Sequence, residues 1–214
     1  VEDWVHRALA RWPNVPALYG WLSLTRRGAW CIQGEVISRP QIIDTLRANY
    51  AADERGCWYF QNGPQRGYVA LEYAPLIAQR TEDDSDLLYT HTGAAIRSVQ
   101  TVYLDEDGAL LMATEHGAAL LAEADLHWAL GCLRNADGAA IQDEDLLLAL
   151  QQPSGSTTAL RFDYLGRSHA VLRLDYAAQP AQLGFVREPR AACSAATHVS
   201  TPLPPLPGIS LTSE

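Results

Sequence analysis

Lysine is missing from this 214-residue chain, so all sixteen basic side chains are arginine. That absence excludes Schiff-base and lysine-nucleophile chemistry, and also a phosphate-binding loop built on a lysine. Every cation is instead a planar fork suited to carboxylate or phosphate. Other absences narrow the field further. No run approaches the roughly 18 apolar residues of a membrane span, and Val1-Glu2-Asp3-Trp4 does not resemble a signal peptide. A soluble, cytoplasmic protein with no membrane partner is therefore expected. The four cysteines, Cys31, Cys57, Cys132 and Cys193, are too dispersed for a zinc knuckle, a redox pair or a disulfide scaffold. Buried free thiols are the expectation, with Cys31 and Cys57 close enough in strand-like runs to be neighbours. Gly-x-Gly-x-x-Gly, Gly-x-Ser-x-Gly and paired-histidine metal motifs are all lacking, so neither a cofactor nor a metal site is predicted.

Charge is unevenly spread. Residues 1–100 carry ten Arg against eleven acids, 101–150 one against ten, and 151–214 five against four, so the net −9 resides in the middle segment. Nucleic-acid binding needs a basic patch, and that partner class is set aside. Among the acids, Asp105-Glu106-Asp107-Gly108 invites an EF-hand alignment. The alignment places Tyr103 and Thr114 at the terminal ligand positions, where carboxylates belong, so a solvated hairpin turn is the better reading.

The chain alternates short strands with turn signals. An opening helix through Trp4, Val5, Ala8 and Leu9 ends at Trp12-Pro13. Residues 21–24 and 29–32 form a hairpin over Thr25-Arg26-Arg27-Gly28. Ser38 reads as an N-cap, with Gln41 completing a capping box, for a helix over 39–50. Strands follow at 57–60 and 67–73, then at 95–104, 109–114 and 118–121. Helices are expected over 123–133, where Leu126, Ala129, Leu130 and Leu133 share a face, and from Asp143, where three acids favour a helix start. Two last strands cover 158–164 and 169–176. This meander rhythm predicts an α+β fold, a predominantly antiparallel sheet of hairpins with several short packed helices. Residues 1–176 are expected to form the body, with two intimately packed subdomains dividing near 80–95 as one form of it. Residues 177–214, rich in Ala, Pro and Ser, read as a C-terminal extension.

Two places carry candidate chemistry. His91, in Tyr89-Thr90-His91-Thr92-Gly93, follows Asp83, Asp84 and Asp86; His91 with Asp86 is the candidate catalytic pair. An ordinary hydrogen-bonded histidine is the competing reading. The stretch Trp58-Tyr59-Phe60-Gln61-Asn62-Gly63-Pro64-Gln65-Arg66-Gly67-Tyr68 mixes aromatics, amides and an arginine around a forced turn. Strand alternation divides it, sending either Trp58 and Phe60 or Tyr59 into the core. Tyr59, Gln61, Asn62, Gln65 and Arg66, joined by Arg26 and Arg27 if the two hairpin ends are adjacent, are the candidate ligand-binding residues.

The pattern from Trp12 through Trp21-Leu22-Ser23-Leu24, Arg26-Arg27-Gly28 and Trp58 to Arg66 resembles a proteobacterial family known only as a domain of unknown function. The resemblance spans about residues 10–135 and implies no activity or site residues. A binding or regulatory module for a small anionic or polar ligand, or for a protein partner, fits these residues best. A small hydrolase or transferase using His91, a nearby carboxylate and Arg66 is the alternative. A structural homo-oligomer, such as a homodimer joined through the aromatic surface, is the third.

Overall fold

The computed structural model of the chain describes residues 16–81 and 86–191. The expected opening helix, Asp83 and Asp84, Cys193 and the proline-rich end lie outside the described residues. An α+β fold is present, with two mixed, predominantly antiparallel sheets.

The first sheet is built by β1 (Ala17–Leu24), β2 (Trp30–Ile32), β3 (Glu35–Val36), β4 (Tyr50–Ala52), β5 (Trp58–Asn62) and β6 (Gln65–Leu71), in the order β3-β2-β1-β6-β5-β4. β1 and β6 are parallel; each of the other neighbouring pairs is antiparallel. The expected hairpins over Arg26-Arg27 and Gly63-Pro64 both form. Alternation decides the faces: Trp58 and Phe60 enter the core, whereas Tyr59 lies half-buried on the opposite side. Cys31 and Cys57 are buried free thiols held apart by β1 and β6.

The second sheet contains β7 (Leu76–Gln79), β8 (Leu88–Thr90), β9 (Ala95–Ile96), β10 (Val99–Leu104), β11 (Leu110–Thr114), β12 (Gly117–Leu121), β13 (Leu133–Arg134), β14 (Thr157–Tyr164) and β15 (Arg167–Arg173). Its order is β13-β14-β15-β10-β11-β12-β7-β8-β9. The single strand expected over 95–104 is divided. The Glu115 carboxylate accepts the Arg97 and Ser98 amides, at 2.6 and 3.2 Å, and this bend sends Ala95-Ile96 to pair with β8 instead. One apolar core joins the sheets: Leu22, Trp30, Phe60 and Val69 from the first meet Leu88, Val102, Met112 and Phe162 from the second.

Among the described residues, four short α-helices complete the fold: α1 (Pro40–Ala48), α2 (Leu126–Cys132), α3 (Asp143–Leu150) and α4 (Gln179–Leu183). The Ser38–Gln41 capping box does not form. Pro40 occupies the first turn, where its missing amide costs nothing, and this makes Arg39 the N-cap, one residue later than expected and without a side-chain cap. A capping box does form at α3, between Gln142 and Asp145. α2 turns Leu126 and Ala129 inward but leaves Leu130 46% exposed, because the helix stops at Cys132 and Leu133 enters the core as a strand residue.

Packed structure continues beyond Tyr176. Gln179 and Phe185 are buried, and the Arg187 guanidinium donates to the carbonyls of Tyr73 and Tyr176 and to Gln179 Oε1, at 2.9, 2.8 and 2.7 Å. It also lies 3.4 Å from the Tyr176 ring centre. Composition alone placed these residues in an extension; the half-buried Arg187 fastens them to the body. Among the described residues, no helix is long and apolar enough to cross a membrane.

Candidate functional site

The outward face of the β5–β6 hairpin carries a tyrosine and arginine cluster. Cross-strand pairing sets Tyr59 against Tyr68 and Gln61 against Arg66, so all four side chains share that face. Tyr19 joins from β1 and stacks on Tyr68, with ring centres 4.6 Å apart and planes within 1°. Tyr59 meets the Tyr68 ring edge-on at 5.8 Å. The Arg66 guanidinium lies 4.3 Å from the Tyr59 ring centre, within cation–π range. Its Nε donates to Gln61 Oε1 at 3.4 Å, while Gln61 Nε2 donates to the Gly63 and Gln65 carbonyls at 2.7 and 3.2 Å.

A second arginine beside this cluster is neutralised. Arg55 forms an ion pair with Asp53 at 3.2 Å, and the Tyr68 hydroxyl donates to the same carboxylate at 3.2 Å. Burial pushes the Asp53 carboxyl upward, but the Cys57 and Arg55 amides and the Arg55 guanidinium together hold it below the usual carboxylate range. Arg66, in contrast, has no carboxylate partner among the described residues. Its pKa is raised above the ordinary arginine value, chiefly by the neighbouring Tyr68 hydroxyl. Among the described residues, Arg66 is thus the arginine of this cluster that no carboxylate pairs directly, with the Glu54 charge acting on it from farther off.

Not every expected member is here. Tyr59, Gln61 and Arg66 converge with the Gln65 carbonyl, whereas Asn62 lines a cavity on the inner side of the sheet. Arg26 and Arg27 are elsewhere, paired with Glu123 at 3.2 and 3.4 Å. The parallel register explains the separation: Arg66 lies beside Ala17 at one end of β1 and Leu71 beside Leu24 at the other, five residues or roughly 16 Å along β6. The Thr25–Gly28 turn projects from that far end. Tyr19, Asp53 and Arg55 were not anticipated. The Asp53 turn, with its carboxylate accepting two nearby amides, is a local signal that sequence reading can use. Tyr19 offered none, because only β1–β6 pairing brings it in.

His91 and Asp86 are not partners. His91 is 3% exposed; its Nδ1 accepts the Ile77 amide at 3.2 Å, and its ring sits among Trp30 and Tyr50. Burial first, and the Arg47 charge second, lower its pKa to about 3. It is a buried neutral ring, not an accessible base. Asp86 instead accepts Trp128 Nε1–H at 3.0 Å, on the wall of a cleft of about 600 Å³ between α2 and the β14–β15 turn. Three of the polar groups in that cleft are engaged: Arg134 pairs with Asp163 at 3.2 Å, and the Tyr164 hydroxyl bridges Leu88 N–H and the Ile96 carbonyl. Cys132 borders it with a pKa raised to about 11, chiefly by burial, so its thiol stays protonated near neutrality.

The family described as "Protein of unknown function (DUF2946)" matches residues 1–190. The chain belongs to that family. This agrees with the resemblance, which spans about residues 10–135, and carries it on to residue 190. A DUF1285 family protein from Silicibacter pomeroyi DSS-3 has a similar structure, with a TM-score of 0.51 and 14% identity over 78% of this chain and 93% of that one. A DUF1285 family protein from Shewanella baltica OS155 gives a TM-score of 0.39 at 16% identity, over 50% of this chain and 87% of that one. The first likeness concerns the fold alone. No curated protein matches the chain.

Proposed function

We propose that this protein is a binding module that recognises a small anionic group through Arg66 and the tyrosine ledge of the first sheet. The observation supporting this reading is a guanidinium that no carboxylate pairs directly among the described residues, flanked on one side by Tyr59 and bonded through Nε to Gln61. An arginine offers five donors, and Gln61 takes the Nε–H, so the terminal nitrogens of the fork suit a carboxylate or phosphate. A partner protein presenting an acidic side chain meets the same donors. Binding is favoured over hydrolysis or group transfer because His91 is sealed in the core and has no carboxylate within hydrogen-bond reach among the described residues.

The test uses inorganic phosphate and citrate, titrated into isotopically labelled protein and followed by amide chemical shifts. Saturable shifts at residues 59–68 are expected, weakened by about tenfold or more in Arg66→Ala. Arg26→Ala should leave them unchanged, since Arg26 lies at the other end of β1. Non-saturable shifts, or equal affinity in Arg66→Ala, would refute the assignment.

A further inference from the structure

The C-terminal segment comes to lie beside the tyrosine ledge. Val186 N–H donates to the Gly56 carbonyl at 3.0 Å, and Leu71 N–H donates to the Arg187 carbonyl at 2.7 Å. Those two bonds hold residues 186 and 187 between the start of β5 and the end of β6, at the open end of the hairpin. Tyr59 is three residues along from Gly56, roughly 10 Å. The intervening turn belongs to the ledge itself: Asp53 accepts the Tyr68 hydroxyl at 3.2 Å, and the Arg55 guanidinium lies 5.9 Å from the Tyr68 ring centre.

The described chain ends four residues later, at Ala191, and residues 192–214 follow. They include Pro202-Leu203-Pro204-Pro205-Leu206-Pro207. From Ala191 to Pro202 is eleven residues, a reach of up to ~36 Å of extended chain. That exceeds the distance to the ledge several times over. No arginine or acid occurs from 191 to 213, so the segment brings no charge of its own to Arg55 and Arg66.

Proline favours the PPII helix, whose three residues per turn would set Leu203 and Leu206 in one row and the four prolines in the other two. Such helices are recognised by aromatic surfaces, because they arrive already ordered and lose little entropy on docking. The ledge is a surface of that kind. Tyr19 and Tyr59 are half-buried and flank the buried Tyr68. The row of ring centres, 4.6 Å then 5.8 Å apart, extends over roughly 10 Å, one PPII turn at ~3.1 Å per residue.

We infer that the Tyr19–Tyr68–Tyr59 face is the docking surface for this chain's own Pro202–Pro207 segment, bound as a PPII helix. The segment so bound shields the rings from other partners until it is displaced. The rings carry this contact, so it stands apart from the anion reading at Arg66.

The test is NMR cross-relaxation on the isotopically labelled full chain. Cross-peaks are expected from the Leu203 and Leu206 methyl groups and the proline rings to the Tyr19 and Tyr59 rings. Backbone order parameters at Leu203 and Leu206 should be about 0.8. Pro204→Gly/Pro205→Gly, which removes the PPII preference without touching the body, should abolish the cross-peaks and lower those order parameters below about 0.6. Tyr59→Ala should also abolish contacts from the segment to Tyr19; a thermal melt checks that this variant folds, and the glycine variant decides the matter if it does not. Missing cross-peaks in the wild type, or cross-peaks that persist in the glycine variant, would overturn the inference. So would cross-peaks between labelled and unlabelled copies in a mixed sample, which would make the occupant a second chain. Phosphate shifts at residues 59–68 without segment contacts would sink this inference and leave the anion site standing; segment contacts without a phosphate response would support it and remove the anion site.

Discussion

Replacing His91 with asparagine should flatten the dependence of stability on pH. In the folded protein His91 Nδ1 accepts the Ile77 amide, which fixes the neutral proton on Nε2, and that nitrogen is buried without a hydrogen-bond partner. Protonation would place a second proton against the Ile77 N–H and bury a charge between Trp30 and Tyr50. The folded pKa of about 3 lies below the ordinary value of 6.5. His91 therefore contributes stability that is complete above the unfolded pKa, declines as the pH falls below it, and is exhausted below the folded pKa. The whole interval corresponds to about 5 kcal/mol, and the part lost between about pH 7 and pH 4.5 to about 2–3 kcal/mol. In His91→Asn the side-chain amide oxygen would keep an acceptor for Ile77, but the position would carry no titrating group. Urea unfolding followed by tryptophan fluorescence, at both pH values and on both proteins, isolates the difference. The wild type should lose about 2–3 kcal/mol more than His91→Asn over that interval. Equal losses would refute the reasoning, as would an NMR titration of His91 centred near its ordinary pKa.

Substitutions at Gly56 and Arg187 probe how the C-terminal segment is held. Gly56 has φ +77°, and a Cβ there would overlap the Gly184 carbonyl oxygen, so Gly56→Ala should cost about 3 kcal/mol in urea unfolding. Gly63→Ala, also at positive φ but with open space around it, should cost only about 1 kcal/mol. Arg187→Ala removes three hydrogen bonds and the Tyr176 contact; it should destabilise by about 2–4 kcal/mol and speed amide exchange over residues 179–187. Arg187→Lys should recover less than half of that loss, because an ammonium cannot reproduce the planar three-way fork.

Local chemistry made much of the fold legible. Turn residues such as Gly28 and Gly63-Pro64 place the hairpins, and the period of two in Trp58-Tyr59-Phe60 foresees an inward pair and an outward tyrosine. Errors arose where a distant group competed with a local signal. Glu115 divides the 95–104 run, and Arg187 holds residues that composition alone assigns to an extension. At Ser38 the competition was local: Pro40 moved the helix start by one residue.

The candidate site shows the same division. By itself the sequence determined that arginine is the sole strong cation, that Tyr59, Gln61 and Arg66 are carried by one hairpin, and that alternation separates them from Trp58 and Phe60. Only the tertiary structure decided which arginines stand together. Parallel pairing of β1 with β6 brings Tyr19 onto Tyr68 and carries Arg26 and Arg27 to the far end, where both pair with the one carboxylate of Glu123. Burial of His91 was likewise a tertiary outcome, since its aromatic neighbours come from Trp30 and Tyr50, far away in the chain. Side-chain alternation is fixed within a strand, whereas strand order and charge pairing depend on how distant segments close over one core.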